Sequence, residues 1–535
     1  MSVVALDEKA LDKLSFFSLS EFESNKSVNA SANTEDIICV IDSSPQAFFE
    51  NVASNSAACC ALGLDSQSNL KMAQSAAKKC AAPGKDKGSS ITCMLIVDAE
   101  QGTARSFTIC CLPTACSRNN TPSKAHAVTT AVKASRGSGN LRIVILPSNP
   151  ATTATAQAIA VARAFPIYND KKDARKKLAG GEVSTVTVVV NVSSGASSED
   201  ALRMKEINHL ASSIRLCAQL VDMPPNLLNC TTYTDAAVKL VEGLPYVATK
   251  VIKGKMLEEL GFGGLYGVGK ASEFPPALVI LSHVPPGTEN TKSIALVGKG
   301  IVYDTGGLSI KVPPGMAGMK SDMGGSAAVL MAFRSLVLQG DCKVPVHALL
   351  CIAENSVDER STRPDDVHTM LSGLTTEINN TDAEGRLVLS DGVFYAHTNL
   401  NPKVIIDIAT LTGAQLITTG KKHAAIFCNE PWLEDKAMSS GKYTGDLVFP
   451  MLYCPEFHRE MFASQVADMK NSVSDRMNAQ SSCAGQFIGN HLEEYLEKGG
   501  AWLHVDMAGP AMTANGDRAT GYGVALLYDL VRNCQ

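Results

Sequence analysis

The sequence predicts an α/β protein of two domains. A smaller N-terminal sheet domain takes residues 1–197. A larger C-terminal domain takes residues 198–535, with a mostly parallel central sheet flanked by helices. Three observations predict this. Apolar runs of strand length recur along the whole chain. Segments of helical length lie between them, the alternation that a parallel sheet with crossover helices requires. The character of the chain then changes across NVSSGASSED, a polar, Ser- and Gly-rich break that starts at Asn191.

In the first part the strand candidates are IICVI from Ile37, ITCMLIV from Ile91, LRIVIL from Leu141 and VTVVVNV from Val186. Their apolar residues are continuous rather than alternating, which fits strands covered on both faces. The Ala- and Lys-rich segments NLKMAQSAAKKCA and ATTATAQAIAVARAF supply helices between them, and no catalytic constellation appears here. Beyond the break a helix is expected from about Ser198 to Val221, ended by DMPPN, because Pro224 and Pro225 cannot continue it. Six further strand candidates follow: ALVILSH, SIALVGKG, VPVHALLCIAE, VIIDIATLTG, AAIFCN and AWLHVDMAGP. Several end on Gly, Asp or Asn, and ligands of open α/β sheets bind outside the carboxyl ends of the strands.

Composition excludes several classes. The chain has 535 residues, 45% hydrophobic and 19% charged, so it is neither disordered nor fibrous. A net charge of −5 and 5% aromatics offer no footprint for nucleic acid. No run approaches the ~18 apolar residues of a membrane span. Asp7, Glu8 and Asp12 in the first residues fit neither a secretory nor a mitochondrial leader. The expectation is a cytoplasmic protein whose 16 cysteines are free thiols in a reducing compartment. CCLPTAC, with Cys110, Cys111 and Cys116, lacks the paired spacing of a zinc site. GVGK at Gly267–Lys270 lacks the frame of a phosphate loop and reads as a turn.

Chemistry concentrates in three segments. VGKGIVYDTGGLSIK (Val297–Lys311) and MKSDMGGSAA (Met319–Ala328) each contain D-x-G-G, where glycines let the backbone turn sharply beside a carboxylate. INNTDAEGRLVLSDG (Ile378–Gly392) carries Asp382, Glu384 and Arg386 at i, i+2 and i+4. Residues two apart do not face each other on a helix, so Asp382 and Glu384 converge only in an extended or loop segment. The sum is four carboxylates (Asp304, Asp322, Asp382, Glu384) and three cations (Lys299, Lys311, Arg386). Each D-x-G-G alone reads as solvated loop charge. The three segments in order, all at strand ends, read as a cluster of buried like charges, which only cations or metal can hold together. Hard oxygen ligands suit magnesium or manganese and also occur in catalytic zinc sites.

At these segments the sequence resembles the leucyl (cytosol) aminopeptidase family of dinuclear metallopeptidases. NTDAEGRL (Asn380–Leu387) stands as in that family's signature. DMPPN, VGKG…YDTGG…SIK, MKSDMGG, DIATLTGA from Asp407 and WLHVDMAGP from Trp502 extend the match from about Leu210 onward. IVYDTGGLSIK, ENSVDERSTRPDDVHTMLSG and VADMKNSVSDR look closer to an animal aminopeptidase-like branch of the family than to the mammalian enzyme itself. The first part resembles the family only in its general α/β character, and there the corresponding domain is non-catalytic.

The resemblance implies two divalent ions per subunit, zinc or manganese and possibly magnesium. Lys299, Asp304, Asp322, Asp382 and Glu384 would be their ligands, with Asp304 and Glu384 bridging the ions. Lys311 would stabilise the oxyanion of the tetrahedral intermediate, and Arg386 would hold a bicarbonate acting as general base. A bridging water would attack the scissile carbonyl. Met319, Thr410, Gly413 and Ala508 would line the pocket for an apolar first side chain, and the Leu411 backbone would contact the substrate. Short peptides would be the substrates and the assembly a homohexamer, with no nucleic-acid or membrane partner. The sequence departs from the family pattern at Tyr303 and Thr305, in a motif that usually reads F-D-S-G-G. It also departs at Ala511, where some members carry a larger pocket residue, and at DRMNAQSSCAG from Asp475, which holds Cys483 and replaces a Gly-rich stretch. Two other readings are weighed. A catalytically weak member kept for a structural or binding role would have lost ligands, and here all are present. A dinuclear phosphoesterase fits the paired lysines but not NTDAEGRL.

Overall fold

The computed structural model describes residues 11, 13–25, 35–137, 139–171, 185–192, 198–475 and 477–535. Part of the break after Asn191 (193–197) and Arg476 lie outside the described residues. The chain forms two compact units. One comprises Leu216–Gly441 and Asp446–Gln535; the other comprises the described residues from Asp7 to Arg215 with Lys442–Gly445. The division falls inside helix α4 (Ser198–Asp222).

Among the described residues, the N-terminal unit has six strands: β1 (Leu14–Ser18), β2 (Asp36–Ile41), β3 (Ser89–Asp98), β4 (Thr103–Cys111), β5 (Leu141–Leu146) and β6 (Val186–Val190). Their order is β1-β6-β5-β2-β4-β3, and every neighbouring pair is parallel except β3 with β4. Because side chains alternate along a strand, successive residues of β2 enter different cores. Ile38 and Val40 pack with helices α2 (Ala125–Ser135) and α3 (Pro150–Ala162), whereas Ile37, Cys39 and Ile41 pack with α1 (Gln67–Lys79). The continuous apolar runs of β2, β5 and β6 are therefore buried on both faces. ITCMLIV differs. It lies in edge strand β3, whose residues alternate between half-buried and exposed, because one face lacks a covering layer.

The second unit holds eleven strands: β7 (Val247–Lys253), β8 (Ala277–His283), β9 (Ser293–Asp304), β10 (Val346–Asn355), β11 (Val367–Thr369), β12 (Thr375–Glu377), β13 (Pro402–Ala409), β14 (Ala424–Cys428), β15 (Val448–Pro450), β16 (Met469–Lys470) and β17 (Ala501–Asp506). Eight of them form one sheet in the order β15-β14-β17-β13-β9-β10-β8-β7. Its centre, β17-β13-β9-β10, is parallel, and β8, β7 and β14 run antiparallel to their inner neighbours. A small sheet, β11-β12-β16, stands apart from it. Helices α5 (Gly324–Gln339), α6 (Gly385–Leu400), α7 (Gln480–Gly489) and α8 (Val524–Cys534) belong to this unit, and α6 and α7 share an apolar core with β9, β10 and β13. All sixteen cysteines are unpaired and ten are buried. Among the described residues no helix is long and apolar enough to cross a membrane.

Buried histidines make this fold sensitive to acid. His491 is fully covered, with Nδ1 at 2.7 Å from Ser372 Oγ, and burial pushes it down to about 3. His347 on β10 pairs with Ser282 on β8 at 2.8 Å, and burial pushes it down to about 4. In the unfolded chain both take up a proton near pH ~6.5. Between that pH and about 4 the unfolded state binds more protons, so stability falls as pH drops. Urea melts at pH 7 and pH 5 should show a lower midpoint at pH 5, and His491→Gln should narrow that gap. An equal gap in the variant would remove His491 as a source.

Candidate metal centre

The candidate ligands lie at the carboxyl ends of the parallel strands. β9 supplies two of them, and its pairing explains how. Lys299 and Asp304 are five apart, so a regular strand would point them to opposite faces. The pairing of β9 with β10 slips by one residue between Ile301↔Ala353 and Asp304↔Asn355. That irregularity reverses the alternation and turns Asp304 to the side of Lys299. Beyond Asp304 the chain turns through Gly306 and Gly307, at φ 85° and 62°, in the left-handed region that other residues avoid. The turn is tied down where Thr305 Oγ1 donates to Asn355 O at 2.7 Å and Lys311 N donates to Thr305 O at 2.9 Å. Lys311 is thereby carried back over Asp304.

Asp322 comes from the short 3-10 helix Met319–Met323 that leads into α5. Asp382 and Glu384 come from the loop before α6, so the non-helical geometry expected for them is what is found. Asp304, Asp322 and Glu384 are buried, each with a carboxylate oxygen within 4.8 Å of the others. Lys299 Nζ sits among them, 2.8 Å from Asp322 Oδ2, 2.9 Å from Glu384 Oε1 and 3.1 Å from Thr410 O. Lys311 Nζ bridges Asp304 Oδ2 at 2.7 Å and Asp382 Oδ1 at 2.5 Å. Asp382 is outside the tight trio and joins it through Lys311.

The electrostatics are unbalanced. Two ammoniums face four carboxylates, and Glu384 Oε2 is buried with no hydrogen-bond partner. Burial raises the carboxyls of Asp322, Glu384 and Asp382, and neighbouring carboxylates raise them further against the pull of the lysines. Burial works against the charge of Lys299, but Asp322, Glu384 and Asp304 outweigh it and hold the amine well above its usual range. Lys311 is raised in the same way, chiefly by Asp304. An excess of negative charge, an orphaned carboxylate oxygen and converging hard oxygen donors fit divalent cations.

Gly385 makes the arrangement possible, since a Cβ there would lie 2.6–2.7 Å from Lys299 Cε, Cδ and Nζ. Arg386, the first side chain of α6 after it, donates from Nη1 to Asn471 O at 3.0 Å while its buried Nε has no partner. Burial pulls its guanidinium down to about 10, with Glu384 opposing. Cys483 on α7 is buried, and burial raises its thiol despite nearby Arg386.

The predicted pocket residues surround this cluster unevenly. Thr410 Oγ1 donates to Asp322 Oδ1 at 2.9 Å. Leu411 N and Ala508 N both donate to Asp506 Oδ1, at 3.1 and 3.3 Å. Met319 is half-buried, three residues before Asp322. Gly413 is exposed, and a Cβ there would meet nothing within 4 Å. No contact from Gly413 to the carboxylates is found among the described residues. The two departures near Asp304 have local partners: Tyr303 OH donates to Met316 O at 3.3 Å, and Thr305 is the anchor described above.

Supporting residues are absent from the sequence reading. Asn355 Nδ2 donates to Asp304 Oδ1 at 2.9 Å and to Thr381 O at 3.0 Å. Thr381 Oγ1 donates to Gly306 O at 2.6 Å. Asn471, fully buried just after β16, donates to Asn380 O and accepts from the amides of Asn379 and Asn380. It thereby ties the small sheet to the loop of Asp382 and Glu384. Asn355, Asp506 and Asn471 stand inside segments that resemble the family, ENSVDERS, WLHVDMAGP and VADMKNSVSDR, but residue type alone gives no sign of their bonds.

Residues 215–528 match the cytosol aminopeptidase family, catalytic domain, and residues 67–174 match the M17 aminopeptidase N-terminal domain 2. The human "Probable aminopeptidase NPEPL1" is 48% identical over 426 residues, covering 79% of each chain. "Leucine aminopeptidase 1" of Caenorhabditis elegans is 44% identical over 424 residues, 78% of this chain and 82% of the relative. Among solved structures, leucyl aminopeptidase of Trypanosoma brucei in complex with actinonin superposes with a TM-score of 0.84 at 35% identity, covering 98% of this chain and 97% of that one. The Caenorhabditis elegans leucine aminopeptidase structure gives 0.79 at 37% identity, over 94% and 95%.

Removing one negative charge tests the imbalance. Metal-free Glu384→Gln should melt no lower than the metal-free parent, because repulsion falls. Its stabilisation by added zinc should shrink. A Glu384→Gln melt several degrees below the metal-free parent would contradict the imbalance.

Proposed function

The chain belongs to the cytosol aminopeptidase family, and from that premise we propose that it is a metal-dependent aminopeptidase. It releases apolar N-terminal residues, of the Leu or Met kind, from short peptides. Aminopeptidase activity, the hydrolysis of peptide bonds, belongs to the family as a whole. The observation that carries the finer reading is the cluster of three buried carboxylates and a half-buried fourth, with only two ammoniums to balance them.

Lys299, Asp304, Asp322, Asp382 and Glu384 would hold two divalent ions, zinc or manganese, with magnesium as a further candidate. Bound there, the ions would acidify a shared water and polarise the scissile carbonyl. The other tasks fall to the chain's own residues. Lys299 would give up its proton to act as a ligand, since only a neutral amine has a lone pair. Lys311 stays charged between Asp304 and Asp382. It retains 16% side-chain exposure, so it is the ammonium that reaches a bound substrate and stabilises the developing oxyanion. Arg386, steadied by Asn471 on one side, would present its unpaired Nε to a bicarbonate serving as general base. The N–H of Leu411 is spent on Asp506, which leaves its carbonyl to accept from the substrate backbone. Met319, Thr410, Gly413 and Ala508 would receive the first side chain. Residues 1–197 would be a non-catalytic domain, and cytoplasmic residence and homohexameric assembly follow the family resemblance.

Leucyl-p-nitroanilide should be hydrolysed with manganese or zinc, and a chelator should abolish this reversibly. Lys311→Ala should lower kcat by roughly 10²- to 10³-fold, the cost of one oxyanion donor, with a smaller change in KM. Chelator-resistant hydrolysis would refute the metal requirement, and an unchanged kcat would remove Lys311 from the mechanism.

A further inference from the structure

The N-terminal unit holds none of the candidate catalytic residues, yet it contains a polar cavity of ≈ 170 Å³. One wall is the segment just after β4, with Pro113, Ala115 and Ser117, which carries the second half of CCLPTAC. The amides of Thr114 and Ala115 donate to the carbonyls of Gly84 and Lys85 at 3.0 and 2.9 Å, which fastens that segment to the loop before β3. The chain then enters α2, and the polar lining consists of Lys85, Asp86, Ser117, Asn120, Lys124 and His126.

Two independent features of this cavity call for an anion. The first is the start of α2, a helix of 11 residues. Its N-cap position is Lys124, which cannot accept a hydrogen bond, and no side chain caps the helix. The positive end of the helix dipole is therefore not neutralised by the chain. The second is Lys124 itself. It is 8% exposed, and its ammonium has no hydrogen-bond or ion-pair partner among the described residues. Its backbone is also held at φ 50°, a conformation that side-chain-bearing residues adopt only at a cost. The Lys124 side chain lines the cavity beside an uncapped helix start, so two sources of positive potential meet there without a paired counter-charge. Asp86 is exposed at the rim and supplies one negative charge against those of Lys85 and Lys124.

We infer that this cavity binds a small oxyanion of the phosphate class, held by the Lys124 ammonium and the first amides of α2, with Lys85 and His126 beside it. The space is roomy enough for one tetrahedral oxyanion with some hydration. Free phosphate and the phosphate group of a monoester share this chemistry.

Calorimetric titration of the full-length protein, with inorganic phosphate in one arm and glycerol 3-phosphate in the other, tests the inference. One site with Kd about 1 mM or tighter is expected. Lys124→Gly is the decisive variant, because it removes the ammonium while glycine accepts the positive φ, so folding is preserved. It should weaken phosphate binding at least about tenfold and leave aminopeptidase activity unchanged. Arg386→Ala should keep the binding, which separates this site from the metal centre. Equal binding in both arms would identify a phosphate group carried on a larger molecule, and binding of inorganic phosphate alone would identify the free ion. No saturable binding in the parent, or parent-like binding by Lys124→Gly, would overturn the inference.

Discussion

Three buried carboxylates, Asp304, Asp322 and Glu384, with the half-buried Asp382 at their edge, are the constraint on which the rest of this structure depends. Each would be costly alone in a low-dielectric setting, and together they repel. The chain answers with two lysines, each placed between two carboxylates. Because that still leaves a deficit of positive charge, the cluster must be held from outside. Asn355, Thr381, Asn471, Thr410 and Asp506 form this frame, and almost all of their bonds run to backbone or carboxylate atoms of the site segments. A rigid frame around an unbalanced charge is what a site pre-organised for cations needs.

The same constraint explains local irregularities. The slipped pairing on β9 has no value for the sheet, but it brings Asp304 to the side of Lys299. The small sheet β11-β12-β16 buries little, but it delivers Asn471 to the loop of Asp382 and Glu384. Glycine at 385 weakens the start of a helix, yet Lys299 occupies the space its side chain would fill. In each case regular structure yields to the placement of a charge.

Much of this was legible in the sequence, for physical reasons that also mark the limit. Strands buried on both faces announce themselves as apolar runs, and β2, β5, β6, β8, β9, β10, β13, β14 and β17 all do so. β7 does not, because as an edge strand most of it is exposed, and its apolar and polar residues are mixed. β12 and β16, of three and two residues, are too short to carry a pattern and exist only through their pairing. β4 starts on polar residues and escaped notice although its second half is apolar and buried. The carboxylates and lysines of the site could be read because motif and residue type coincide. Asn471 and Gly385 stand inside motifs that could be read, but the carbonyl of Asn380 and the side chain of Lys299 that define their roles lie opposite them only in space.

The central claim is that this cluster is a two-cation site whose lysines stand where positive charge is needed. The most direct test is the zinc anomalous signal from crystals of the full-length protein grown with zinc. The account predicts two peaks per subunit, each within about 2.0–2.2 Å of oxygens from Asp304, Asp322, Asp382 or Glu384, with Lys299 withdrawn from its carboxylate contacts to ligate through Nζ. Zinc bound elsewhere, with Lys299 and Lys311 still paired to their carboxylates, would contradict it.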